Sequence, residues 1–343
     1  MTKKKTQNKT KIDNSAKKTQ QKQQQPKEAA YISENSTIKI TIPWSKVKPI
    51  YQQTLKKQAK KLKIDGFRKG KVPLHIAEKK LNQESLFQAT LRKLLPEYYQ
   101  QAIKKQKKKP LTAPEFQGIS INKNNNWEIK AYFAEKPEIE LRNYKKVVKK
   151  AKKQADDLIK KAEKEEADLQ KKKEKDSKAK KKISTKKSEK KDKNPQKKTD
   201  LSAAQKKDIT MQTIFQKLIG AIEPKIPELL VKQQTEKELR NLEQKLKQLK
   251  IDIKDYLKSQ NLTQQQLVSR LAFSSLNQLQ VEFLLEKIAQ ENNIKAKQKE
   301  IDKKIESIGD KKVQELMRKG DHYQNYLRSI IVKQKVIDYL LQV

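Results

Sequence analysis

Between Tyr144 and Phe215 the chain carries no aromatic residue, and from Ile119 to Ile219 it carries no glycine. A β-rich domain draws on both, glycine for its tight turns and aromatics for its core, so none is expected in this interval. Lysine fills it instead: residues 145–208 hold 26 Lys against 12 Asp and Glu. Ala151 to Lys182 consists of good helix formers with Glu/Lys pairs at helical spacing. No continuous apolar stripe stands out, so the interval is expected to bury no core and to act as a charged helix or an extended linker. About 60 residues of coil span roughly 40–45 Å, and 30 helical residues about 45 Å. Either state tethers two domains.

Four regions follow. Residues 1–30 are Lys, Gln and Thr with almost nothing apolar and are expected to form a disordered basic tail. Residues 31–146 read as a compact domain, 147–205 as the lysine-rich linker, and 206–343 as a helical domain. In the second region Thr37 to Ile42 alternates polar and apolar, a half-buried strand ended by Pro43. Val47, Tyr51, Leu55, Ala59 and Leu62 then mark one helical face, with Pro49 expected in the first turn. A second helix carries Leu86, Leu91, Leu94, Leu95 and Tyr98, with Pro96 inside it. Strands around Phe116–Ile121 and Trp127–Phe133 close the region across an Asn-rich turn. The order β-α-α-β-β gives an α+β class, a small sheet under long helices.

The fourth region is punctuated helix. Met211, Ile214, Phe215, Leu218 and Ile222 form a stripe that Pro224 stops, and Pro227 opens a helix in which Leu239, Leu242, Leu246 and Leu249 recur at a/d spacing. That repeat suits packing within the chain and leaves a weak homodimer open. Thr263 and Gln266 have the spacing of a capping box for a helix reaching about Glu291. Ile294, Ile301 and Ile305 mark another helix. Gly320 is expected as a left-handed C-terminal cap before the last one, which carries Leu327, Ile331 and Leu340. The scarcity of glycine suits arm-like helices.

The formal charge is +42, from 83 Lys and Arg against 41 Asp and Glu, and only seven of the 83 are Arg. Such a surplus draws the chain to polyanions. Lysine is a point charge, however, and base-edge readout favours the planar Arg fork. AT-biased codon usage would also raise Lys, Asn, Gln and Ile together, so charge alone does not name a function. With no Cys and only His75 and His322, disulfides, thiolate metal sites and a Cys nucleophile are excluded, and His-based relays nearly so. No cofactor or metal is expected. No apolar run approaches the ~18 residues of a membrane span. The polar, lysine-rich N-terminus has no signal-peptide core, so a soluble cytoplasmic protein is expected. The acidic cluster Glu163, Glu165, Glu166 and Asp168 reads as solvated helix charge.

One stretch singles itself out: Gly66-Phe67-Arg68-Lys69-Gly70-Lys71-Val72-Pro73. Two glycines four apart let the backbone turn sharply and present Phe67, Arg68 and Lys69 at a tip. An aromatic beside two cations suits a docking surface on RNA and protein; an ordinary hairpin turn would instead tuck Phe67 into the core. The stretch resembles the G-F-R-x-G-x-x-P docking signature of the trigger factor family of bacterial chaperones, with every fixed position present. The strand-then-helix entry, Leu95-Pro96-Glu97-Tyr98 and Ala134 to Leu141 are similar as well, and Asp255-Tyr256-Leu257-Lys258 extends the resemblance more loosely into the C-terminal helices.

The resemblance implies an ATP-independent ribosome-associated chaperone for nascent and unfolded polypeptides. Phe67, Arg68 and Lys69 would contact the large subunit near the exit tunnel, protein with rRNA left open, while Gly66, Gly70, Lys71 and Pro73 shape the loop. The 31–146 domain would bind the ribosome and the helical domain would form a client-holding cradle. Exposed stripe residues such as Phe215, Phe273, Met317 and Tyr326 are the client-binding candidates. Most members carry a prolyl-isomerase domain between these parts. The lysine-rich interval stands in its place here, so isomerase activity is expected to be absent. The alternative reading is a basic nucleic-acid or ribosome-assembly binder held by lysine–phosphate electrostatics.

Overall fold

The computed structural model describes residues 31–68, 70–181 and 201–343, with side chains described as far as Glu165 in the helix that ends at Lys181 and again from Leu201. The expected tail over 1–30, the tip residue Lys69, the linker over 182–200 and the side chains of Glu166 and Asp168 lie outside the described residues. The described residues begin with strands β1 (Ile32–Ser33) and β2 (Ser36–Ile42) and helices α1 (Trp44–Ala59), α2 (Leu74–Lys80) and α3 (Gln83–Lys105). Strands β3 (Glu115–Ser120) and β4 (Trp127–Phe133) complete the domain.

The period-two alternation of β2 is realised as predicted. In the sheet order β2-β4-β3, the antiparallel register puts Ile38 opposite Ala131, Ile40 opposite Ile129 and Ile42 opposite Trp127. All six are buried, and α1 and α3 cover that face with Val47, Tyr51, Leu55, Leu86 and Leu94. An aromatic group sits at its centre: the Phe87 and Trp127 rings meet nearly edge-on at 5.4 Å, with Trp44 6.4 Å from Trp127. Pro49 stands at the sixth position of α1 rather than in its first turn. The helix begins at Trp44, directly after Pro43, earlier than the apolar spacing suggests. Helix α2 was not anticipated: seven residues, too short to show a period.

Helix α4 (Tyr144–Lys181) is followed by α5 (Ala203–Ile222), β5 (Ile226–Pro227), α6 (Glu228–Gln248), α7 (Ile253–Ser259), α8 (Gln264–Glu291), α9 (Gln298–Glu306), α10 (Lys311–Lys319) and α11 (Asp321–Gln342). The expectation that the lysine-rich interval buries nothing fails for its first part. Tyr144, Val148, Ala151, Ala155 and Ile159 are all buried, spaced four, three, four and four apart along one face. That face runs alongside α5, and its first turns join one core with Ile214 and Leu218 of α5, Leu284 and Ile288 of α8 and Val336 and Leu340 of α11. Polar contacts reinforce the seat. Asn292 donates to the Tyr144 hydroxyl (2.8 Å) and accepts from Tyr339 (3.0 Å), and burial pushes the Tyr144 hydroxyl pKa up to about 12. Lys152 donates to the Leu341 carbonyl (2.7 Å), a cation on a helix C-terminus. The helical region also starts earlier than residue 206, at Ala203, where Ser202 and Gln205 form a capping box.

From this basal core two hairpin-like extensions leave. One is α6–α7–α8, whose capping box at Thr263 and Gln266 is present; Leu246 and Leu267 are buried in it while Leu249 is 68% exposed. The other is α9–α10–α11, with its own small cluster of Ile301, Ile305 and Leu327. Gly320 here has φ −98° and serves as the shared boundary of α10 and α11. It is therefore not the left-handed cap expected from sequence, because α11 starts at once and the chain stays extended for a single residue.

Two segments far apart in the chain are stitched together. β1 pairs in parallel with β5, Ile32 opposite Ile226. The Asn35 side chain accepts from the Leu229 N–H (2.8 Å), capping α6 from 194 residues away where Pro227 has no side chain to do so.

Candidate functional site

The glycine-bracketed loop leaves α1 and returns into α2. Two consecutive turns build it. The Phe67 N–H donates to the Ile64 carbonyl (3.1 Å) and the Lys71 N–H to the Arg68 carbonyl (2.9 Å). Gly66 and Gly70 each occupy the third position of their turn, with φ +85° and +81°, the region a type II turn demands there. A Cβ at Gly66 would meet nothing within 4 Å, and one at Gly70 only the Lys60 carbonyl at 3.7 Å. The requirement is thus conformational, roughly 1–2 kcal/mol for an L side chain, and not one of space.

The loop's base is anchored while its tip is not. Val72, Ala59 and Ala77 form a small buried cluster, with Leu62, Ile64, Ile76 and Leu81 packed against it. Pro73 has φ −57° and directly precedes α2, so its fixed ring sets the exit. Phe67 lies outside that cluster and is 39% exposed, which rules out the tucked-in hairpin turn. Arg68, Lys71 and both glycines are exposed as well. Exposed lysines flank the loop on both sides, Lys56, Lys57, Lys60 and Lys61 at the end of α1 and Lys79 and Lys80 at the end of α2. The arrangement is a rigid-based turn that offers one apolar ring inside a positive field.

The client-binding candidates divide. Phe273 on α8 and Tyr326 on α11 are 50% and 59% exposed. Phe215 is half-buried against the basal core and Met317 half-buried against the cluster at the second extension, so neither is the exposed residue expected. Helical spacing places a residue on a stripe but does not tell which turns of the stripe find a partner. Exposed apolar side chains that the sequence reading did not single out as candidates are Leu249 and Ile251 at the α6–α7 corner, Val268 on α8 and Leu316 on α10. His75 is exposed beside the loop, and the His322 ring stands edge-on to that of Tyr323. Among the described residues no group of His, Asp and Glu is placed to hold a metal.

Comparison with known proteins gives two matched regions. The family model for the bacterial trigger factor protein matches residues 23–169, and the model for the C-terminus of the same protein matches residues 189–342. Curated trigger factors of Staphylococcus saprophyticus and Streptococcus pneumoniae are 38% and 35% identical over 108 residues, 32% of this chain and 25% of theirs. The matched stretch thus spans about a quarter of these relatives' length. A solved structure from work on promiscuous substrate recognition in folding and assembly by the trigger factor chaperone aligns over 89% of this chain and 96% of its own, with a TM-score of 0.53 and 14% identity. The last comparison speaks for the fold alone, and the two family models together take in residues 23–342 except 170–188. The chain belongs to the bacterial trigger factor family.

Proposed function

We propose that this protein is an ATP-independent chaperone that docks on the ribosomal large subunit beside the exit tunnel and shields emerging polypeptides by weak, reversible apolar contact. The observation that carries this reading is the loop itself: two glycine turns fixed to a buried base, with Phe67 held out at the tip. In this role Phe67, Arg68 and Lys69 make the contact, and Gly66, Gly70, Lys71 and Pro73 hold the shape. Phe273, Tyr326 and the exposed residues of the two extensions offer dispersed apolar surface, which suits binding many sequences weakly. Residues 31–146 are the docking domain. The body that holds clients comprises 206–343 together with the packed first part of α4.

No catalysis enters this mechanism. One continuous helix starts at Tyr144 and runs through the first half of the interval where an isomerase domain would stand. The gap between the two matched regions, 170–188, is shorter than the roughly 40 residues below which a domain rarely folds unaided. Work at the exit tunnel places the protein in the cytoplasm. Among the described residues no helix is long and apolar enough to cross a membrane.

The test is ribosome co-sedimentation across a salt series, with wild type beside a Phe67→Ala/Arg68→Ala/Lys69→Ala variant. Wild type should pellet at moderate salt and the variant should not. Parallel release of both as salt rises would assign the binding to bulk lysine charge and overturn the docking role of the loop.

A further inference from the structure

A groove of about 400 Å³ opens next to the loop, between α1, α2 and the β3–β4 turn. Its wall residue Leu74 directly follows Pro73, so the groove continues the surface that carries the loop. Tyr51 and Leu55 form its buried floor, Trp44 lies half-buried at one side, and Leu74 is 38% exposed on the wall. The rim is cationic: Lys48 and Lys56 from α1 and Lys123 from the turn, all exposed. One carboxylate, Glu78, stands among them. It accepts from the Tyr51 hydroxyl (2.7 Å) and from Lys123 (2.6 Å) on the same oxygen. The Lys123 and Tyr51 hydrogen bonds hold its carboxyl below the usual range.

Two features say what would fit. Lys48 and Lys56 are eight residues apart on one helix, about 12 Å, which matches acidic side chains four residues apart on an extended strand at about 3.3 Å per residue. The apolar floor between them takes one large side chain. A phosphodiester chain, charged at every residue, would set a charge against Glu78, whereas a peptide with two carboxylates puts its charges only at Lys48 and Lys56 and an apolar side chain between them. We propose that this groove is a second contact site, for an acidic peptide segment with one large apolar residue between two carboxylates. It goes beyond the docking reading and does not depend on the loop.

The protein supplies its own reporter. Its two tryptophans are Trp44, at the groove, and Trp127, wholly buried in the sheet core. The full chain would be titrated with acetyl-Asp-Gly-Phe-Gly-Asp-amide while tryptophan emission is followed, beside the Asn-for-Asp peptide and beside oligouridylate. The expected result is a saturable change, weakened about tenfold in a Lys48→Ala/Lys56→Ala variant, as two exposed ion pairs imply, and weakened similarly by the Asn peptide. Circular dichroism of the variant checks that both exposed positions leave the fold intact. No saturable change up to millimolar peptide, equal binding by the variant, or saturation by oligouridylate in place of the peptide would each overturn the proposal. No ribosome is present in this titration, so its failure leaves the docking reading standing, and loss of that reading leaves the titration informative.

Discussion

From β2 to β4 of the N-terminal domain the buried apolar side chains form one core around Trp127, apart from the small cluster at the loop's base. The C-terminal helices divide theirs. A basal core joins α4, α5, α8 and α11, a separate small cluster holds the second extension, and Leu246 and Leu267 are buried in the first. The contrast teaches how each part presents surface. A small domain with one aromatic core can hold a single ring, Phe67, in a fixed place for one partner. Long helices with little core of their own must leave apolar side chains outside, Leu249, Phe273, Leu316 and Tyr326 among them, and that suits partners that have no fixed shape.

The sharpest way to break this comparison is Trp127→Ala. The side chain is fully buried, its indole N–H donates to the Asn122 carbonyl (2.9 Å), and it touches Trp44 and Phe87. Truncation should cost about 3–5 kcal/mol, a large share of the roughly 5–15 kcal/mol that holds a domain folded. The remaining Trp44 fluorescence should show the N-terminal domain unfolding at much lower urea, while the far-ultraviolet circular dichroism of the helical body changes little. A single concerted loss of both signals would mean that the two cores stand or fall together.

Next in size is Val148→Ala, which asks whether the start of α4 belongs to the body. Val148 is fully buried, and losing two methyl groups with partial collapse of the site should cost about 2 kcal/mol. The dichroism transition should move down in urea and the tryptophan transition should not. An unmoved dichroism curve would return α4 to the role of a linker that the lysine content suggests.

That lysine content shows where sequence reading stopped. The stripe through Tyr144, Val148, Ala151, Ala155 and Ile159 has helical spacing, but two of its five members are alanines and charged residues stand between all of them. Their apolar character is too slight to see until α5 is placed beside them. The loop was legible for the opposite reason. Left-handed backbone at Gly66 and Gly70 is a local property, decided within four residues. The β2 and β4 alternation was equally local. What had no local sign was the stitching of two distant segments: a two-residue pairing of β1 with β5, and Asn35 capping α6. No window of sequence contains both partners. The client candidates fell between these cases, since Phe215 and Phe273 look alike in a helical stripe and differ only in what the fold brings against them.

A finer measure of the same contrast comes from Glu135, at the end of β4. Its carboxylate accepts from Ser36 (2.7 Å), Lys108 (2.9 Å) and the Lys109 N–H (3.3 Å), tying β2, the turn after α3 and the end of the sheet together. Burial raises its pKa, but the bonds from Lys108, Ser36 and Lys109 outweigh burial, and the net shift is downward. A carboxyl whose pKa is lower folded than unfolded adds stability that is present above its unfolded pKa and lost as pH falls through the folded value. The contribution should be under about 1 kcal/mol, because the pair is partly solvated. In Glu135→Gln the tryptophan-detected urea midpoint should be slightly lower than wild type at pH 7 and should converge with it as the pH is taken below the ordinary Glu pKa, about 4.3. The body, monitored by dichroism, should show no such convergence. A difference that persists at low pH would mean that Glu135 acts through shape rather than charge, and that the N-terminal core is held at this corner by packing alone.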